Sequence, residues 1–203
     1  MTLYEVLRAH AEGAQLLDSR NPIDFAAGHL PGSVNIGLAG RFASWAGTLL
    51  TTERPIVVVA NRGLEETTAT RLGRVGLDNV LGYLDGGTAA ARSRMTLVRR
   101  PERITSDALR ARPGALPIVD VRAETEWAAG AIPGSVNIPL ESLRERLDDI
   151  PPAGRIVVYC RTGERSSTAA SLLEQAGRTD VLDLVGGFTA WTASSRKGVP
   201  AHV

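Results

Sequence analysis

Ile156-Val157-Val158-Tyr159-Cys160-Arg161-Thr162-Gly163-Glu164-Arg165-Ser166-Ser167 carries a β-branched apolar run straight into a short, glycine-bearing loop flanked by arginines. The run reads as a buried strand. The Ser-Ser-Thr-Ala-Ala-Ser-Leu-Leu stretch from Ser166 reads as the start of an amphipathic helix with a Ser or Thr N-cap. Cys160, the one cysteine in the chain, therefore stands on a strand-to-helix turn. Backbone N–H groups at a helix start point their positive ends into such a turn, and Arg161 and Arg165 add formal charge. A thiolate is favoured there, and the same groups would hold an anionic substrate. The bland alternative is a small hydrophobe packed in a core, the commonest fate of a free cysteine. The position after the strand, with Gly163 permitting a tight turn of positive φ, argues for a reactive thiol.

Outward from this stretch, the chain is written twice. Leu17-Asp18-Ser19-Arg20 through Gly28-His29-Leu30-Pro31-Gly32-Ser33-Val34-Asn35-Ile36 matches Val119-Asp120-Val121-Arg122 through Gly130-Ala131-Ile132-Pro133-Gly134-Ser135-Val136-Asn137-Ile138 at a constant offset of 102, with about half the residues identical. Ile56-Val57-Val58-Val59 faces Ile156-Val157-Val158-Tyr159 at an offset of 100, and Gly86-Gly87 faces Gly186-Gly187. A period this long means duplicated domains, because solenoid repeats run about 20 to 50 residues. Each half reads as a helix, a strand carrying Asp-x-Arg, an acidic helical stretch, the Pro-Gly-Ser-Val-Asn turn and strand, then helix, strand, loop, helix, strand and a final helix. Alternating strands and helices predict an α/β domain with a mainly parallel sheet. The expected domains are residues 1–95 and 96–203, with the arginine-rich segment from Arg92 to Arg103 as a solvated linker.

Composition narrows the function. The 203 residues suffice for two cores, and a net charge of +1 with 4% aromatic residues leaves no basic stripe or stacking platform for nucleic acid. The start Met1-Thr2-Leu3-Tyr4-Glu5 does not look like a signal peptide, and no apolar stretch approaches the length of a membrane span, so a soluble, cytoplasmic protein is expected. His10, His29 and His202 are scattered, and no metal or cofactor is expected.

The duplication makes one difference informative. Ala60 stands where the second half has Cys160, and the first loop reads Asn61-Arg62-Gly63-Leu64-Glu65-Glu66, with Glu65 opposite Arg165 and Glu66 opposite Ser166. Thiol chemistry cannot occur in the first half. Its acidic loop would repel an anion, so a structural or docking role is expected. The Asp-x-Arg pairs, Asp18/Arg20 and Asp120/Arg122, recur in the half without a thiol and read as structural ion pairs. His29 is replaced by Ala131 in the half bearing Cys160 and is read as structural, Trp127 and Trp191 as packing residues, and Trp45 as core or a partner contact.

Asp120-Val121-Arg122, Gly130 to Pro139, Val157 to Ser166 and Gly186-Gly187-Phe188-Thr189-Ala190-Trp191 together resemble a rhodanese domain, motif by motif and in order, over residues 103 to 193. The first half resembles the same family over residues 3 to 91, without the active cysteine. Its Gly40-Arg41-Phe42-Ala43-Ser44-Trp45-Ala46-Gly47 stretch is similar to the tandem rhodanese region attached to metallo-β-lactamase-fold persulfide dioxygenases, which makes such an enzyme a possible partner. No His-x-His-x-Asp-His motif accompanies it.

The resemblance implies two three-layer α/β/α domains and sulfur transfer from a small donor to a thiol or cyanide acceptor. It makes Cys160 the nucleophile and persulfide carrier. The amides of Arg161, Thr162, Gly163, Glu164, Arg165 and Ser166 would cradle the outer sulfur, with Arg165 binding the donor's anionic group and Arg161 adding to the field. Four residues separate Cys160 from Arg165, whereas cysteine phosphatases with a related cradle have five and usually a preceding His; here Tyr159 precedes. The smaller ring suits one sulfur atom. The loop is also unlike those associated with mercaptopyruvate or thiosulfate specialists, and Glu164 on its rim should weaken a small dianion.

Overall fold

The computed structural model describes residues 1–91, 97–151 and 154–197. The chain divides into two compact units, Met1–Arg100 and Pro101–Val203. The boundary expected between 95 and 96 falls within 92–96, outside the described residues. The end of the expected solvated linker is instead docked on the first unit. His29 and Arg99 exchange backbone hydrogen bonds at 3.0 and 2.9 Å, Arg100 Nε donates to the Ala27 carbonyl at 3.1 Å, and Val98 packs against the first core.

In the first unit the elements are α1 (Leu3–Ala11), β1 (Gln15–Asp18), α2 (Pro22–Ala27), β2 (Ser33–Asn35), α3 (Phe42–Leu49), β3 (Ile56–Val59), α4 (Glu65–Gly73), β4 (Val80–Tyr83) and a 3-10 turn at Gly87–Ala91. The strands form a parallel sheet of order β2-β1-β3-β4. Val57 and Val59 pack with Val6 and Ala9 of α1 on one face. Alternation turns Ile56 and Val58 to the other face, where α4 packs on β3 and α3 on α4.

The second unit runs β5 (Glu102–Ile104), α5 (Ser106–Arg110), β6 (Ile118–Asp120), α6 (Glu124–Ala128), β7 (Ser135–Asn137), β8 (Ile156–Tyr159), α7 (Glu164–Gln175), β9 (Val181–Leu184) and α8 (Gly187–Lys197). Its parallel sheet has the order β5-β9-β8-β6-β7, so β8 is central. Val157, Tyr159, Leu182 and Leu184 share one core with Leu109 of α5 and with Phe188 and Trp191 of α8. The opposite face carries α7.

Four expectations are corrected. The helix expected between β7 and β8 is a pair of 3-10 turns, at Leu140–Ser142 and Leu147–Asp149, and the final helix of the first half is likewise a 3-10 turn. The helix after Cys160 begins at Glu164, with Gly163 as its cap at φ 114° and no Ser or Thr N-cap. Nor is α7 amphipathic at its start: every residue from Ser166 to Leu173 is buried. Small side chains allow that close seat, and the hydroxyls turn inward. Thr168 donates to the Glu164 carbonyl at 3.3 Å and Ser171 to the Thr168 carbonyl at 2.7 Å.

The repeated motifs form one latch, built twice. In each half the Arg of Asp-x-Arg lies back on its own Asp, with closest approaches of 2.5 Å for Arg20 on Asp18 and 2.6 Å for Arg122 on Asp120. The same guanidinium donates to the glycine carbonyl that opens the Pro-Gly turn, Gly28 at 2.8 Å and Gly130 at 2.7 Å. Asn35 and Asn137 then donate to the main chain of both latch residues. A buried ion pair that also donates to the main chain holds geometry at little net gain in stability. It fixes the ends of the strands that frame the loops.

Candidate active site

Cys160 follows the C-terminal end of β8, the middle strand, where parallel sheets place their ligand crevices. Its side chain is 1% exposed. The Gly163 amide donates to Cys160 Sγ at 3.2 Å. Gly163 itself has a φ of 114°, a left-handed value that glycine adopts readily, and from it the chain turns into α7. The first bond of α7 runs from the Ser167 amide to the Gly163 carbonyl, so the amides of Glu164, Arg165 and Ser166 are the orphan donors of the helix start.

The loop is braced from behind by α8. The Phe188 amide donates to the Cys160 carbonyl at 2.8 Å and the Thr189 amide to the Arg161 carbonyl at 3.0 Å. A Cβ on Gly187 would lie 2.3 Å from the Cys160 carbonyl oxygen, so the second glycine of the Gly-Gly pair is a condition for that approach.

Arg161, Thr162 and Glu164 are exposed on the rim, Gly163 and Ser166 are buried, and Arg165 is half-buried. Arg165 is engaged: its Nη1 and Nη2 reach the two carboxylate oxygens of Glu126 at 2.6 and 2.9 Å. The Arg165 guanidinium holds the Glu126 carboxyl at about 2, and the Glu126 hydrogen bonds raise Arg165 in turn. Sequence reasoning missed Glu126, although it sits in the acidic stretch already noted.

Sequence reasoning also missed the group behind the thiol. Cys160 Sγ lies 3.7 Å from Ser166 Oγ, which donates to Asp183 Oδ1 at 2.6 Å, and Arg103 Nε donates to Asp183 Oδ2 at 3.2 Å. Burial pushes the Asp183 carboxyl up to about 6 against the opposing pull of Ser166 and Arg103.

Tyr159 points the other way, into the core of the α5 and α8 face. Its hydroxyl accepts from the Ile132 amide at 3.1 Å and shares a bond with Ser135 at 3.2 Å, and burial holds it at about 12. His29 is buried, stacked on Phe25 with ring centroids 3.8 Å apart. Trp45 is half-buried under Arg41, Trp127 is exposed, and Trp191 packs under Arg110.

In the first half the same loop is closed on itself. The Gly63 amide, counterpart of the one on Cys160 Sγ, donates to Glu65 Oε2 at 2.7 Å. A cavity of about 670 Å³ remains above it, lined by Asn61, Arg62, Tyr83, Asp85 and Thr88 among others.

The family model described as Rhodanese-like domain matches residues 2–93 and again 105–194. The chain belongs to the rhodanese-like family. A protein of Allochromatium vinosum named Sulfurtransferase is 40% identical to this rhodanese tandem over 83 residues, 41% of the chain and 75% of that relative. A Bacillus subtilis protein named as a putative sulfur carrier is 33% identical over 81 residues, 40% of the chain and 44% of the relative. Among solved structures, a rhodanese-related protein of Thermoplasma volcanium is 30% identical, covering 49% of the chain and 95% of its own, with a TM-score of 0.44. No described helix of the rhodanese tandem is long and apolar enough to cross a membrane. Among the described residues, no group of three His, Cys, Asp or Glu is placed to hold a metal ion.

Proposed function

We propose that the protein is a sulfurtransferase that carries sulfane sulfur as a persulfide on Cys160, from thiosulfate or a thiol persulfide to a thiol or cyanide acceptor. The observation that supports it most directly is the 3.2 Å approach of the Gly163 amide to Sγ at a helix start. The thiolate attacks the outer sulfur of the donor, a sulfur–sulfur bond forms, and the donor's own bond to that sulfur breaks with its electron pair on the leaving sulfite or thiolate. The orphan amides of Glu164, Arg165 and Ser166 are placed to stabilise the anionic outer sulfur. The acceptor then takes that sulfur and the electron pair returns to Cys160.

The rim favours a thiol persulfide over thiosulfate. Around the loop, Arg161 and Glu164 are exposed with opposite charges, and Arg165 is neutralised by Glu126. The rim side chains therefore add no net positive charge for a small dianion beyond what the loop amides supply, and a thiol persulfide, with less charge at the sulfur, depends less on such a charge. A higher kcat/KM for thiosulfate than for glutathione persulfide would refute this preference.

A second reading follows from the burial of Cys160, 1% exposed. The thiol would then load from small donors and unload only within a complex, for instance with a metallo-β-lactamase-fold persulfide dioxygenase. Intact mass spectrometry separates the two. A gain of about 32 Da with donor, lost to cyanide and absent in Cys160→Ser, is the expected result for a free-standing enzyme. Loading without unloading to any small acceptor selects the carrier, and no adduct with any donor overturns both.

A further inference from the structure

We propose that Ser166 and Asp183 form a proton relay behind Cys160, in which the thiol proton rests on Asp183 while sulfur is carried and returns when sulfur leaves. The proposal rests on reading Cys160 as the sulfur carrier. Four elements converge on the relay: the end of β8 supplies Cys160, α7 supplies Ser166, β9 supplies Asp183 and β5 supplies Arg103. The chain of contacts runs 3.7 Å from Sγ to Ser166 Oγ, 2.6 Å from there to Asp183 Oδ1, and 3.2 Å from Oδ2 to Arg103 Nε. Asp183 and Ser166 are buried, at 4% and 0% exposure, while Arg103 reaches the surface.

A structural tie between β5 and β9 would use Arg103 and Asp183 alone. Here Arg103 occupies one carboxylate oxygen, and the other is turned through a hydroxyl toward the thiol. Burial places this carboxyl at about 6, close enough to neutral pH to accept a proton and give it back.

The duplicated half is an internal control. Val158 is paired in register with Asp183, and its counterpart Val58 with Tyr83. Position 66 is Glu where 166 is Ser. Both relay members are thus missing from the half that lacks the thiol.

The other charged groups nearby have partners of their own. Glu102, beside Arg103 on β5, is paired with Arg155; Arg165 on α7 is paired with Glu126; Asp180, before β9, is paired with Arg178.

The steps balance without any further reactant. The thiol proton passes to Ser166 Oγ as the serine proton passes to Asp183 Oδ1, leaving a thiolate and a neutral carboxylic acid. The thiolate bonds to the sulfane sulfur and the donor's leaving group departs with its electron pair. When an acceptor takes the outer sulfur, the pair returns to Sγ and Asp183 returns its proton by the same path. Asp183 acts through Ser166 and is therefore a positioning residue.

The test uses the full chain without donor. Because Cys160 is the one cysteine, ultraviolet thiolate absorbance, corrected with Cys160→Ser, reports it alone. Wild type is expected to form thiolate in two steps, the first near the Asp183 range, since a thiol and carboxylate that share a proton titrate as a pair. Asp183→Asn, which keeps the shape but accepts no proton, is expected to show one step. Its loading by glutathione persulfide at neutral pH should fall about 100-fold, the lower end of the range for loss of a proton acceptor. Arg103→Gln, at the sheet edge, keeps the relay and removes the cation, so the first step should move up by about one pH unit. A single step in wild type, two unshifted steps in Asp183→Asn, or an unmoved first step in Arg103→Gln overturns the relay. Two steps in wild type that collapse to one in Asp183→Asn sustain it even where no donor loads, a result that would count against the sulfur-transfer reading alone.

Discussion

Residues 60–66 and 160–166 occupy the same turn of the same fold and do opposite things with it. In the second, the glycine amide reaches a sulfur at 3.2 Å; in the first, the equivalent amide reaches Glu65 at 2.7 Å. The degenerate loop has not simply lost a nucleophile. It has set a carboxylate from the start of α4 on its own glycine amide, within the positive field of that helix end. An anion cradle of this kind is a property of the backbone, and what occupies it is decided by one or two side chains.

The sharpest way to break this comparison is to move the thiol. In a Cys160→Ser background, Ala60→Cys is expected to gain no persulfide by intact mass, because Glu65 holds the Gly63 amide. Adding Glu65→Arg and Glu66→Ser, which uncovers the amide, should restore a gain of about 32 Da. Efficient loading of Ala60→Cys alone would mean that the carboxylate does not block the cradle.

A smaller effect separates the two Gly-Gly pairs. A methyl on Gly187 would meet the Cys160 carbonyl at 2.3 Å, whereas one on Gly87 would meet the Ala60 carbonyl at 3.3 Å, with nearly equal φ values of 55° and 53°. Gly187→Ala is therefore expected to cost loading about 100-fold through displacement of the thiol, with a clear drop in Tm. Gly87→Ala should carry the backbone strain alone and leave loading intact. Equal losses of Tm and loading in the two variants would show that strain, and not the collision, governs this position.

The smallest effect concerns Arg165. Glu126→Gln should free the guanidinium and lower KM for thiosulfate by about fivefold, the range for a partly exposed ion pair, with kcat little changed. Asp24→Asn, at the matching position of the first half, should not alter it. The pH dependence follows from sign. Glu126 sits at about 2, below its ordinary 4.5, so it contributes stability above about 4.5 that is lost as pH falls toward 2. A Tm profile in acid that is the same for wild type and Glu126→Gln would contradict the pairing.

Most of the fold was legible because its marks are local. Asp-x-Arg, Pro-Gly-Ser-Val-Asn and the β-branched runs each dictate one turn or strand, and their recurrence placed both sheets. The helix start was misread because Ser166 and Ser167 look like caps. Gly163 caps the helix by conformation, and the hydroxyls are thereby released to face the interior. Strand β5 escaped notice because Glu102-Arg103-Ile104 is short and charged, and it is a strand through its pairing with β9. The Glu126–Arg165 and Ser166–Asp183 contacts span 39 and 17 residues, and only the register between elements brings them together.

The brace between α8 and the Cys160 carbonyl has a consequence for how such a site diversifies. Two helices abut a single peptide unit, one donating to its sulfur side and the other to its oxygen. The nucleophile is thus clamped like a jewel between two prongs, and neither prong can drift without carrying the reactive atom along. Changes of donor or acceptor are confined to the outward-facing side chains of Arg161, Thr162 and Glu164, which are exposed on the rim. A rigid seat with a variable lip lets a lineage exchange its sulfur source without rebuilding the chemistry.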